Sequence, residues 1–367
     1  PTTVRLMNDV TFNGIDYSVT VVAFPQSTSW NQFQVLTGGI LDLNGHALTF
    51  AGGDSGHGAA VFSYAGVVSG AGMVRMLPST GLSTINMLSI PGARFDSDLR
   101  IAAGTVTTNS LALQGFLTID AGATLTLGTL NAYALFAHGS LTNNGTLNTS
   151  GAGFFFDGNT FTNNGAVAGA FAVFGSNVGA PSTPNLAGTG TWSGGLLYID
   201  TNAVTMLLSD VTYAGAALWI DGRMNTGAFT LNVPCATPWS GTGDAVGNIR
   251  RSNMPACSTP VAFGNPLTTL QFTAGAAPTD VTMNIALAPP PDYPGAIKRG
   301  YTITPTSQGG YTSTLRLRYF DAELNGNAEA TLQLWRRGAT SWTAQGATTR
   351  NATANWVELA GVTQFSP

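Results

Sequence analysis

The chain has 367 residues, of which 44% are apolar and only 9% charged, with a net charge of −4. Soluble domains carry about 25% charged residues; here Lys occurs once, at Lys298, and Glu three times, at Glu323, Glu329 and Glu358, while Gly contributes 46 residues and Thr 49. This composition argues against a helical bundle, an α/β enzyme, a disordered chain and a basic nucleic-acid face, and leaves a large all-β protein.

No run reaches the roughly 18 consecutive apolar residues that a membrane-spanning helix needs. The chain begins at Pro1 without a leader, as expected of a mature product whose export signal has been removed, or of an expressed fragment.

Residues 1–240 hold five Arg, no Lys, eleven Asp and no Glu. Strand-like stretches open the region, with Thr2, Val4 and Leu6 in the first and Tyr17, Val19 and Val21 in the second. Short alternating runs follow, such as Leu41-Asp42-Leu43 and Ala123-Thr124-Leu125-Thr126-Leu127. Alternation with period 2 predicts strands with one buried face. Leu141-Thr142-Asn143-Asn144-Gly145 returns twenty residues later as Phe161-Thr162-Asn163-Asn164-Gly165. An apolar pair followed by Asp and a turn recurs at Asp120, Asp157, Asp200 and Asp221, spaced 37, 43 and 21 residues apart. A twenty-odd-residue period of short strands and Gly/Asn/Asp turns predicts a parallel β-helix, or β-solenoid. Stacked coils place equivalent residues one above another. Asn at a corner then bonds to the Asn of the next coil, and columns of like charge are disfavoured. The four aspartates are expected as turn acceptors, in what reads as one column.

Residues 241–262 read as a Pro- and Cys-containing linker that holds Cys257, with Cys235 just before it. A disulfide between them closes a 22-residue separation and stabilises by about 3 kcal/mol in the chain-entropy model. Residues 263–367 carry longer strands, over 268–273, 281–288, 297–304, 314–320, 331–336 and 356–362, separated by Pro-rich turns. They predict an antiparallel β-sandwich. Residues 241–367 hold nine cations against seven acids.

The C-terminal third, through Gly247-Asn248-Ile249-Arg250-Arg251, Arg299-Gly300-Tyr301-Thr302-Ile303-Thr304-Pro305 and Leu315-Arg316-Leu317-Arg318-Tyr319-Phe320-Asp321-Ala322-Glu323-Leu324, resembles a recurrent module of secreted bacterial surface proteins. The Thr-Asn-Asn-Gly turns resemble those of autotransporter and haemagglutinin-type solenoids. The resemblance implies an exported structural or adhesive protein and carries no catalytic residue.

Other residues are candidates for chemistry. Gly53-Asp54-Ser55-Gly56 matches a serine-protease tetrapeptide, but His46, His57 and His138 lack the context of a triad base. Asp96-Ser97-Asp98 has no calcium-loop pattern around it, and no metal or cofactor site is expected. Lys298 beside Glu323 or Glu329 suggests an isopeptide bond, against the plain reading of a surface lysine. The seven tryptophans, Trp30, Trp192, Trp219, Trp239, Trp335, Trp342 and Trp356, include candidates for sugar stacking.

The sequence therefore predicts an extracellular, non-enzymatic structural protein, either a filament subunit that pairs head to tail with itself through residues 1–22 or an adhesin stalk. A carbohydrate-binding surface protein is the alternative. A polysaccharide-degrading enzyme built on the β-helix is weaker, because the solenoid region has few cations to neutralise an anionic substrate.

Overall fold

A computed structural model describes residues 2–12, 18–21, 32–51, 61–77, 82–87, 94–128, 133–149, 153–175 and 181–365. The protein is nearly all β, a parallel β-solenoid with antiparallel sheets at its C-terminal end. The chain divides into two compact units, Pro1–Leu197 and Tyr198–Pro367.

The described residues of the first unit wind through three parallel ladders. One of them stacks Val10–Phe12, Ala47–Ala51, Met73–Leu77, Asp98–Ile101, Leu117–Ile119, Leu141–Asn143, Thr160–Asn163 and Asn185–Ala187. Its register aligns Leu48, Val74, Leu99, Leu117, Leu141, Phe161 and Leu186 in a single inward file, each almost fully buried. The step along this file varies from 18 residues (Leu99 to Leu117) to 26 (Leu48 to Val74). The coil therefore keeps its strand register while its turns change length. Alternating burial along the strands, as in Thr124–Leu127, puts Leu inward and Thr outward. Aromatic residues fill the wider parts of the core. Phe161 packs edge to face on Phe154 and Trp192, with centroids at 5.5 and 5.2 Å, a geometry that favours the ring quadrupoles.

Glycine columns set the corners of this unit. A Cβ on Gly165 would sit 2.0 Å from the Gly145 carbonyl oxygen, and one on Gly190 would sit 2.2 Å from that of Gly165. A second column runs through Gly115, Gly139 and Gly158 in the same way. Successive coils approach too closely there for any side chain.

The second unit begins with more parallel coil. Val204–Leu207, Arg223–Pro234 and Asp244–Ser252 form one ladder, and Trp239–Ser240 pairs with Val211–Ile220. Strand Asp244–Ser252 occupies the middle of the expected linker. It pairs in parallel with Arg223–Pro234 on one side and antiparallel with Asp280–Ala286 on the other. Gly300–Pro305 then pairs antiparallel with Asp280–Ala286. This hairpin satisfies the backbone edge that a parallel coil otherwise leaves open. A five-stranded antiparallel sheet follows, in the order Val261–Ala262, Thr269–Gly275, Tyr311–Arg318, Trp356–Val362, Thr349–Asn351. Leu270, Leu315 and Val357 turn into its core, and the Tyr301 hydroxyl donates to the Arg318 carbonyl to join hairpin and sheet. Leu334–Arg337 and Trp342–Gly346 make a separate small hairpin.

Candidate functional site

The buried apolar file Phe50, Met76, Ile101, Ile119 passes to the polar residues Asn143 and Asn163. Asn143 Nδ2 donates to Asn163 Oδ1 at 2.8 Å and to the Ala166 carbonyl at 2.9 Å. Asn163 Nδ2 donates to the Thr191 carbonyl at 3.1 Å. Both side chains are fully buried. On the outer side of the same corner, Asn164 Nδ2 donates to Asn144 Oδ1 at 2.9 Å.

The four aspartates do not form one column. Asp120 shares the asparagine corner, because the amides of Asp120, Asn144 and Asn164 each bond to the strand end of the coil before. Its carboxylate accepts from Arg100 Nε at 2.9 Å. Asp157 lies at a different corner, where successive coils carry Asp96, Gln114, His138, Asp157 and Gly175. No acid in that file sits directly on another acid, and Asp157 meets His138 Nδ1 at 2.6 Å. Spacing in the sequence could not separate the two corners, since both end an apolar strand with a turn.

Asp200 and Asp221 belong to the second unit, and here two acids do fall on neighbouring coils. The Tyr198 hydroxyl lies 3.3 Å from Asp200 Oδ1 and 3.2 Å from Asp221 Oδ2. Trp219 Nε1 donates to Asp221 Oδ2 at 2.8 Å, and the Thr242 amide donates to Oδ1 at 2.9 Å. Burial pushes the Asp221 carboxyl up, but these donors outweigh it and leave the pKa below its ordinary value. The Tyr198 phenol is pushed up to about 12 by burial and by the two carboxylates, Asp221 above all. Trp219 is 45% exposed and packs edge to face on Tyr198 at 6.2 Å. The result is an exposed indole fixed by its own N–H beside two hydrogen-bond acceptors.

No family model, curated protein or solved structure matches the chain. Its functional reading rests on geometry.

Cys235 and Cys257 form a disulfide with Cα atoms 6.2 Å apart. The loop that it closes is stitched from inside by Arg251. Arg251 Nε donates to the Ala262 carbonyl at 2.7 Å, and Nη1 donates to those of Pro234 and Thr237 at 2.8 and 3.0 Å.

A buried ion cluster went unseen in the sequence. Arg299 Nη2 donates to Asp244 Oδ2 at 2.6 Å, and Nε donates to Glu323 Oε2 at 2.8 Å, with the Arg299 side chain 1% exposed. The Asp244 carboxyl is pushed up by burial, while its neighbours hold the Arg299 guanidinium charged. Glu323 also accepts from the Phe320 amide at 3.0 Å. Its carboxylate is thus committed to Arg299 and the backbone, while Lys298 meets Glu323 through its amide, which donates to the Glu323 carbonyl.

Thr2–Arg5 pairs in parallel with Gly39–Asp42, Leu6 donates its amide to the Asp42 carbonyl, and Val4 is exposed. Val19 and Val21 lie in Ser18–Val21, which pairs with Gln32–Val35. Tyr17, Trp30 and the segment from Gly53 to His57 lie outside the described residues. His46 is 3.4 Å from Asp9. In the Asp96-Ser97-Asp98 turn, Asp96 pairs with Arg94, Ser97 bonds the Gly70 carbonyl and Asp98 accepts from the Phe116 amide.

Proposed function

We propose that the chain is an exported structural protein of a bacterial surface, in which the solenoid serves as a scaffold. The observation that carries this reading is the direct stacking of equivalent residues, Asn143 on Asn163 and Asn144 on Asn164, beside a continuous apolar file. Such stacking adds length coil by coil and commits the polar corner groups to one another. The Cys235–Cys257 disulfide suits an oxidising compartment. The resemblance to secreted surface modules points the same way. Antibody labelling of intact source cells tests the proposal, and label that needs permeabilised cells would count against it. End-to-end association of copies through the edge at Thr2, Val4 and Leu6 is the filament form of this proposal. Sedimentation across a concentration series tests it, and a strict monomer leaves the adhesin scaffold.

A second reading, glycan binding, is favoured by one feature. Trp219 is exposed yet held in one orientation by Asp221 and Tyr198. A fixed aromatic face beside carboxylate acceptors suits a sugar ring with its hydroxyls. Loss of glycan-array signal in Trp219→Ala supports this reading, and an array without signal for the parent chain removes it.

A further inference from the structure

The five-stranded sheet of the second unit turns one face away from its core. On that face Thr269, Arg316 and Glu358 form a cross-strand row, and Gln271 and Thr314 form the next. The disulfide loop folds over these rows. Between loop and sheet lies a cavity of about 770 Å³, walled on the loop side by Pro238, Trp239 and the Cys235–Cys257 bridge. That volume lies within the range of about 300–1,000 Å³ typical of small-ligand sites.

Among the described residues, three charged ones line the cavity: Arg251, Arg316 and Glu358. Arg316 and Glu358 neutralise each other, with Nη2 2.7 Å from Oε2 and Nε at 2.9 Å. Arg251 has no such partner among the described residues. Its guanidinium donates to three neutral carbonyls, those of Ala262, Pro234 and Thr237, and stacks 5.3 Å from the Trp239 ring centroid. It is 1% exposed. A buried charge without a counter-charge is rare, and its field is weakly screened in a low-dielectric wall. The lining thus combines one uncompensated positive charge, threonine hydroxyls with the Gln271 amide, and an aromatic and proline wall. An anion alone would leave the hydroxyls and the apolar wall unused. A neutral sugar would leave the charge unmatched.

We propose that this cavity binds a uronate residue of an acidic polysaccharide, its carboxylate drawn by Arg251 and its hydroxyls met by Thr269, Thr314 and Gln271. The site is separate from the Trp219 surface and does not depend on the scaffold reading.

Calorimetric titration of the whole oxidised chain with glucuronate, glucose and acetate tests the proposal. Glucuronate is expected to bind at least tenfold more tightly than either of the others. Equal binding of glucose, equal binding of acetate, or no binding of glucuronate overturns it. In Arg316→Gln, Glu358 is released and the lining becomes neutral, so glucuronate is expected to fall to the level of glucose. A retained preference for glucuronate in that variant, with an unchanged melting curve, also overturns the proposal. Should Arg316→Gln melt early, Thr314→Val serves instead. It removes one hydroxyl with little change of volume, and undiminished glucuronate affinity there counts against the site.

Discussion

Asn143 and Asn163 occupy the same inward position on neighbouring coils and bond directly, amide to carbonyl oxygen, at 2.8 Å. The pair replaces the apolar file that ends at Ile119, and it also holds the Ala166 and Thr191 carbonyls. Removing one partner strands the other in the core. Asn163→Leu is therefore expected to destabilise by about 1–3 kcal/mol. The double variant Asn143→Leu, Asn163→Leu extends the Ile119 file and is expected to cost less than the two single variants together. Urea denaturation in a double-mutant cycle measures the coupling.

The glycine columns predict a different kind of failure. In Gly165→Ala the new methyl meets a backbone carbonyl oxygen, that of Gly145, rather than a side chain that could turn away. The coils must separate locally, at an expected loss of about 1–3 kcal/mol. Gly295→Ala meets nothing within 4 Å and should leave the urea midpoint in place.

The buried cluster of Arg299, Asp244 and Glu323 predicts a larger loss. Arg299→Met leaves two carboxylates in a site where they were ion-paired. Breaking a buried pair from one side typically costs about 3–5 kcal/mol. Thermal unfolding of the second unit should fall well below that of the parent. A melting temperature equal to the parent's would show that the cluster contributes nothing.

Tyr198 gives a pH-dependent readout. Its phenol is raised from the ordinary 10.0 to about 12. The unfolded chain thus loses this proton first as pH climbs. The native contribution is complete below the unfolded value of about 10 and is lost as pH rises through about 12. Asp221→Asn removes the negative charge beside the phenol, so the Tyr198 midpoint should move down toward 10. Difference titration of phenolate absorbance, against the Tyr198→Phe variant, reads the shift. An unmoved midpoint would leave the rise to burial and Asp200.

The solenoid was legible because its turn chemistry repeats at fixed spacing: Asn143-Asn144-Gly145 and Asn163-Asn164-Gly165 sit twenty residues apart and stack. Tyr198-Ile199-Asp200 and Trp219-Ile220-Asp221 repeat as well. That repetition shows the aromatic and acidic positions falling together. The strand at Asp244–Ser252 was hidden by its own contents. Arg251 is buried there, and a buried arginine reads as surface. The Arg299 cluster left no local signal, because its partners lie 55 and 24 positions away with no repeat to link them.

The role proposed for this chain is that of a scaffold displayed outside the cell. Immunogold electron microscopy of intact source cells tests it most directly. Label along the outer surface, without permeabilisation, is the predicted result. Label confined to the interior of sectioned cells would contradict it.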